Sequence, residues 1–339
     1  MKLVRAFHAQ AAACATLGSP FMARLMTLLA DRLEPDHGAV ARRLFEWPGD
    51  VTPAGASLPL RLAGGLHALR LGGDAGLAAV YPPANALDDA LWDAVSAAMT
   101  REAPFLLDWV RRAPQTNEIR RAAVFRAAGH WLTARYGLPL ELAELGASAG
   151  LNLHWDAYAL LVGDTTFGPK DSVLTLAPDW TGVMPPANAP RIAARRGNDL
   201  APLSPIGDRM RLLAYLWPDQ PGRLAMTEAA LALPPAPVDA ADAADWLDAL
   251  SPQLPGTCRM ICHSVAWQYF PDDVQARARA TIADLGAATT TDRPLAHLEM
   301  ETDGATPGAR LTLTTWPGGT VHDAGRADFH GRWIDWRLT

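Results

Sequence analysis

The chain is poor in cysteine, in lysine and in long apolar runs, and each shortage excludes something. Three cysteines in 339 residues cannot build a disulfide framework, which favours a reducing compartment. No stretch approaches the ~20 uninterrupted apolar residues of a membrane-spanning helix, so an integral membrane protein is excluded and no membrane partner is expected. Lysine occurs only at Lys2 and Lys170, and 30 basic against 36 acidic residues leave a net charge of −6. That balance gives no broad footprint for duplex nucleic acid. Charged residues make up 19% and hydrophobic residues 49%, too little charge for a disordered chain and enough apolar material for a sizeable core. Lys2 and Arg5 precede an alanine-rich run ending at Cys14, but His8 and Gln10 interrupt it. The run is shorter than a usual signal core, and a cytoplasmic protein is expected.

The first part of the chain reads as helices. Ser19-Pro20 offers a capping hydroxyl followed by proline at the first helical position, and Phe21, Leu25, Leu28 and Leu29 then recur at helical spacing. Similar patterns follow at residues 39–47, 58–71, 87–100 and 117–136, with prolines between them as breaks. Convincing two-residue alternation is absent before about residue 138. Residues 1–137 are therefore expected to form an all-helical domain.

At Gly137-Leu138-Pro139 the character changes. Leu140–Leu145 alternates, Gly146-Ala-Ser148-Ala-Gly150 follows as a turn, and residues 151–160 return to helical spacing. Further strand candidates are residues 191–195, 234–240, 259–264, 294–301, 310–315 and 331–337, with helical patterns at 208–233, 243–250 and 271–285. Strands alternating with helices predict an α/β domain over 138–339 built on a mostly parallel sheet. Residues 163–190, rich in glycine, proline, threonine and aspartate, read as an insertion, with a hairpin in it.

Two chemistries compete for the glycine turn. Gly146-x-Ser148-x-Gly150 matches the nucleophile elbow of serine hydrolases, with Asp242 and His297, His322 or His330 following in the order a triad needs. Against it, an elbow normally follows several strands, and here a helical region precedes it. The other chemistry is nucleotide binding. Glu144 ends a strand, and Gly146 and Gly150 let backbone approach a ligand at a helix N-terminus. Asp199 then follows the second expected strand, where ribose hydroxyls are usually held, and Asp242 follows the third. Each acid alone also reads as a helix cap. Cys258 and Cys262, four apart on an expected strand, are poor geometry for a closed zinc site, and no metal is expected there.

In this order the residues resemble the Rossmann-like S-adenosylmethionine-dependent methyltransferases. Glu144-Leu-Gly-Ala-Ser-Ala-Gly150 resembles their first motif, which implies that Glu144, Gly146, Ser148 and Gly150 receive the methionine end of S-adenosylmethionine. Asp199 resembles their ribose-binding acid, and Asp242-Ala243 the pair that reads adenine. Residues 260–272 resemble the fourth strand and its acceptor-side loop, with His263 as candidate general base and Tyr269 beside it as a second catalytic candidate. Two departures mark the match. Ser148 replaces a glycine, and Asp199 follows Glu144 at more than twice the ~20-residue spacing of a compact βαβ unit. The implied fold is a Rossmann-like methyltransferase-type sheet with an N-terminal helical domain, and the alternative to an enzyme is a non-catalytic interaction module on the same fold.

The whole chain also resembles a bacterial family of unknown function. The shared features are Gly18-Ser-Pro20, Gln115-Thr-Asn-Glu118, the 144–156 segment, Leu216-Trp-Pro-Asp-Gln220 and His330-Gly-Arg-Trp333. Asn117 reads first as a helix cap, and second as a group reaching a ligand.

Overall fold

The computed structural model describes residues 2–53 and 55–339. In chain order the helices are α1 (Lys2–Thr16), α2 (Pro20–Arg32), α3 (Gly38–Phe45), α4 (Leu58–Leu71), α5 (Ala75–Ala78), α6 (Asp88–Arg101), α7 (Ala103–Trp109) and α8 (Ala122–Tyr136). After β1 (Leu140–Leu145) come β2 (Ala159–Val162), β3 (Thr165–Phe167), β4 (Thr175–Leu176), β5 (Asp179–Gly182) and β6 (Ile192–Asp199). Then follow α9 (Arg209–Ala214), α10 (Pro221–Leu231), β7 (Val238–Ala240), α11 (Ala243–Asp248), β8 (Cys258–Ser264) and α12 (Asp272–Ala287). The chain closes with β9 (Leu295–Glu301), β10 (Ala309–Trp316), β11 (Thr320–Ala327) and β12 (Trp333–Trp336). Two compact units result: Met1–Thr116 with Asp208–Ala225, and Asn117–Gly207 with Met226–Thr339. The expected boundary at 137/138 assigns α8 to the helices, whereas α8 lies within the sheet-bearing unit.

The first unit is helical. Ser19 caps α2 by accepting from Met22 N, with Pro20 in the first turn, and the alanine-rich run 2–16 is a helix whose Leu3, Ala6, Phe7, Ala11 and Cys14 enter the core at helical spacing. The segment 208–225 completes this unit. Asp219 accepts from Ser19 Oγ at 2.5 Å and from Phe21 N at 2.9 Å, and Gln220 Nε2 donates to Gly18 O at 3.1 Å. Gly64 permits the docking of α9, because a Cβ there would stand 2.5 Å from the Tyr215 ring. His67, buried in α4, faces the Ala214 carbonyl at 3.1 Å.

The second unit holds a nine-stranded sheet in the order β5-β12-β11-β10-β9-β8-β1-β6-β7. From β7 to β9 all neighbours are parallel. Chain progression runs outward from β1 through β6 to β7, then resumes on the other side with β8 and β9. The carboxyl edge between β1 and β8 is thus a switch point, the place where parallel α/β sheets bind ligands. Beyond β9 the sheet continues as an antiparallel meander, β10-β11-β12, with β5 parallel at the edge. The α/β organisation expected from the sequence is present, and α11 and α12 bury one sheet face against Ala143, Leu145 and Ile261.

The expected helix over 151–160 is instead a 3₁₀ helix, Leu151–Ala157, that runs into strand β2. Side chains take the carbonyls an α-helix would need. Tyr158 Oη donates to Leu151 O at 2.6 Å, Arg195 to Leu153 O at 2.8 Å and Arg126 to Trp155 O at 2.8 Å. The hairpin expected within the insertion starts before it: β2 precedes residue 163 and pairs with β3 inside it, in a small sheet ordered β3-β2-β4. No helix among the described residues is long and apolar enough to cross a membrane.

Burial lowers the pKa of His67 from 6.5 to about 4. Between these values the unfolded chain takes a proton that the folded chain refuses, so stability falls as pH drops from 6.5 to 4 and is unaffected by this group above 6.5. We expect a loss of roughly 3 kcal/mol from this residue across that window, measured by urea unfolding at pH 7 and pH 4.5. His67→Gln should flatten the pH dependence; equal losses in both proteins would refute the assignment.

Candidate functional site

Three residues of the glycine turn have left-handed backbone: Gly146 (φ +68°), Ser148 (φ +55°) and Gly150 (φ +72°). Packing accounts for both glycines. A Cβ on Gly146 would lie 2.6 Å from the Ala266 methyl, and one on Gly150 would lie 2.8 Å from Val238 Cγ2. Packing does not account for Ser148, whose strained conformation costs of order 1 kcal/mol and whose buried Oγ has no hydrogen-bond partner. His297, His322 and His330 therefore do not engage it, and no triad is assembled on Ser148.

Asp199 ties this turn to the next strand end. One carboxylate oxygen accepts from Ser148 N at 3.0 Å and the other from Ala201 N at 2.9 Å. Leu203 N donates back to Ser148 O at 3.2 Å. Glu144 is buried beside it with Oε2 unpartnered. Burial pushes its carboxyl well above the usual carboxylate range, opposed by the Arg121 guanidinium and reinforced by Asp199. Asn198 donates to Ala241 O at 3.0 Å, leaving its buried Oδ1 without a partner. Asp242 caps α11: its Oδ1 accepts from Ala244 N at 2.9 Å and Asp245 N at 3.4 Å, and the cap does not use Ala243 N. Register places Glu144 beside Gly197 and Asp199 beside Ala240, so all three acids stand at neighbouring strand ends.

Asn117 neither caps its own helix nor points away from the turn. Its Oδ1 accepts from Leu151 N at 3.1 Å, the first amide after Gly150. Asn152 Nδ2 answers by donating to Glu118 O at 3.3 Å. Arg121 donates to Ser264 O at 3.0 Å and to Phe329 O at 2.8 Å, linking β8's end to the C-terminal motif. Gly331 is required there, since a Cβ would lie 2.7 Å from the Arg120 backbone.

On β8 the alternation places His263 with Ile261 on the face under α11 and α12, and Glu144 with Cys262 on the other. His263 is wholly buried. Its Nδ1 meets Glu301 Oε1 at 2.7 Å and its Nε2 meets His297 Nε2 at 3.0 Å, so neither nitrogen is open to an acceptor in this arrangement. Glu299 Oε1 lies 3.8 Å from the same Nε2. Tyr269 is 67% exposed on the turn after β8. Cys258 and Cys262 are free thiols, buried, and held above the ordinary thiol range by that burial.

The sequence reading missed Asn198, Glu299 and Glu301. The last two had a signal: in His297-Leu-Glu299-Met-Glu301 every second residue of a buried strand is polar, which places three polar groups on one sheet face.

The architecture defines a mixed α/β protein with an N-terminal helical region and a large, mostly parallel sheet. The chain belongs to the bacterial family described as "Uncharacterized protein conserved in bacteria (DUF2332)", which matches residues 4–336. No curated protein and no solved structure matches it.

Removing the Asn117 side chain leaves the buried Leu151 N–H unsatisfied. Asn117→Ala should therefore cost about 1–3 kcal/mol of unfolding free energy, read from denaturant midpoints at constant slope. A change within ~0.5 kcal/mol, as for ordinary surface substitutions, would show that the clamp is not structural.

Proposed function

We propose that the carboxyl edge of β1, β6 and β7 binds S-adenosylmethionine and that the protein is a methyltransferase. One observation carries the reading: three buried polar atoms lack partners at adjoining strand ends by the switch point, Glu144 Oε2 and Asn198 Oδ1 flanking the edge from its two faces and Ser148 Oγ on the turn between them. Buried polar atoms rarely go unpaired, and each costs about 1–3 kcal/mol when it does. A polar ligand at this edge would satisfy them.

The residues fit that ligand. Glu144 would receive the amino-acid end, with Ser148 Oγ as an added hydrogen bond where the methyltransferase pattern has glycine. Asp199 would hold the ribose hydroxyls. Asp242 and Ala243 N would read adenine. The sulfonium supplies an already activated methyl group, so the protein's work is to align the acceptor and accommodate its proton. Tyr269, exposed after β8, is the aromatic group positioned to orient an acceptor.

The positive φ of Ser148 favours one second reading, a serine hydrolase. Covalent labelling by a fluorophosphonate, lost in Ser148→Ala, would establish it and displace the first.

Calorimetric titration with S-adenosylmethionine and S-adenosylhomocysteine tests the proposal. Asp199→Asn keeps one acceptor for the turn but removes the charge, and should weaken binding roughly ten- to hundredfold in a protein that still melts cooperatively. No heat and no shift in Tm with the unaltered protein would overturn the reading.

Glu144 adds a separate prediction. Its carboxyl holds a proton unusually tightly when buried alone, and a ligand ammonium beside it stabilises the ionised form. Binding should lower this pKa and release a proton over the pH range in which the free carboxyl still holds one, and there the calorimetric enthalpy should vary with the buffer's ionisation enthalpy. Glu144→Gln should abolish that variation. An enthalpy equal in all buffers would remove Glu144 from the ligand's amino group.

A further inference from the structure

We propose that His263, His297 and Glu299 form a binding site for one divalent transition-metal ion of the zinc class, independent of the cofactor reading. In the parallel register of β8 and β9, His263 pairs with Glu299 and Ile261 with His297. The three side chains therefore leave the same sheet face near its carboxyl edge. Their ligand atoms, the two Nε2 and one carboxylate oxygen, all lie within 4.8 Å of one another. The Nε2 atoms are 3.0 Å apart and Glu299 Oε1 is 3.8 Å from that of His263. A tetrahedral zinc ion with bonds near 2.0–2.2 Å spaces its ligand atoms about 3.3 Å apart, so small rotations about these side-chain bonds form the site.

The surroundings orient the ligands as metal sites do. Glu301 Oε1 accepts from His263 Nδ1, which turns the bare Nε2 lone pair toward His297. Such a carboxylate behind the ligating imidazole fixes its tautomer and raises its basicity. Glu301 is itself held, accepting from Ala266 N at 3.0 Å and Trp267 N at 3.2 Å. The Trp267 ring stacks on the His263 imidazole at 4.7 Å and 24°. Glu301 Oε2 is buried with no partner. One glutamate and two imidazoles suit a borderline cation better than calcium or magnesium, which favour all-oxygen sites. Three protein ligands leave a fourth position, and Glu299 is the ligand that is partly exposed, with 26% of its side chain open to solvent. Such an open site is of the catalytic type, able to polarise an oxygen or thiol placed at that position.

The test uses the full chain, stripped with a chelator, dialysed against zinc chloride and assayed for metal by emission spectroscopy. One zinc per chain is expected. Glu299→Gln alters a partly exposed side chain, and His297→Gln a buried one; both should reduce zinc affinity by more than about tenfold, and Glu301→Gln should do so by about 10–100-fold. Competition with a chromogenic chelator reads these affinities, and circular dichroism of the metal-free variants checks the fold. If His297→Gln fails to fold, Glu299→Gln carries the test alone. Zinc far below one per chain in the unaltered protein, or stoichiometric zinc unaffected by Glu299→Gln, would overturn the site.

Discussion

The carboxylate of Asp199 is the joint on which the edge of the sheet depends. It accepts from amides of two loops, the turn after β1 and the bend after β6. Backbone packing beneath it is as close as the chain allows: Ala147 N donates to Asn198 O at 2.8 Å, and a Cβ on Gly197 would lie 2.6 Å from the Ala147 methyl. With those loops tied together, Glu144, Asn198 and Ser148 have little freedom to swing toward water, which is why their polar atoms are buried without protein partners. A rigid frame that withholds partners is the arrangement expected of a preorganised binding edge.

The motifs that carried the resemblance to the family resolve into pairs that meet in space. Gly18-Ser-Pro20 meets Asp219 and Gln220 inside the helical unit. In the other unit Asn117 and Glu118 meet Leu151 and Asn152, while Gly331 packs on Arg120. Both sets join distant stretches of chain, and the second frames the glycine turn.

Periodicity and turn chemistry made much of this legible in the sequence. The capped start of α2, the run of helices, the strand–glycine turn, the insertion and the acids at strand ends all follow from local rules. What escaped was set by distant groups. Residues 151–157 carry a helical pattern, but Tyr158, Arg126 and Arg195 take the carbonyls that would have closed α-helical bonds. Strand β11 is polar and glycine-containing, and Gly325, where a Cβ would collide with the Asp335 carbonyl, kinks it at an irregularity in its pairing with β10; no alternation survives to announce it. The histidine–glutamate cluster was half visible. His263 and His297 stood out separately, in different roles, but His297, Glu299 and Glu301 come from the next parallel strand, across a helical crossover that spacing in the sequence does not measure.

The division of the helical unit between residues 1–116 and 208–225 carries a consequence for the order of folding. The groove beside α4, where Gly64 and His67 receive Tyr215 and Ala214, stays empty until the ribosome has produced the whole of β1 to β6. Domains commonly mature in the order in which they are made; here the first segment synthesised must wait for a later one. Closing so long a loop adds only modest entropic cost but delays the contact. In the interval that face of α4 lacks its partner, and the helical unit is complete only once the chain beyond β6 has been made.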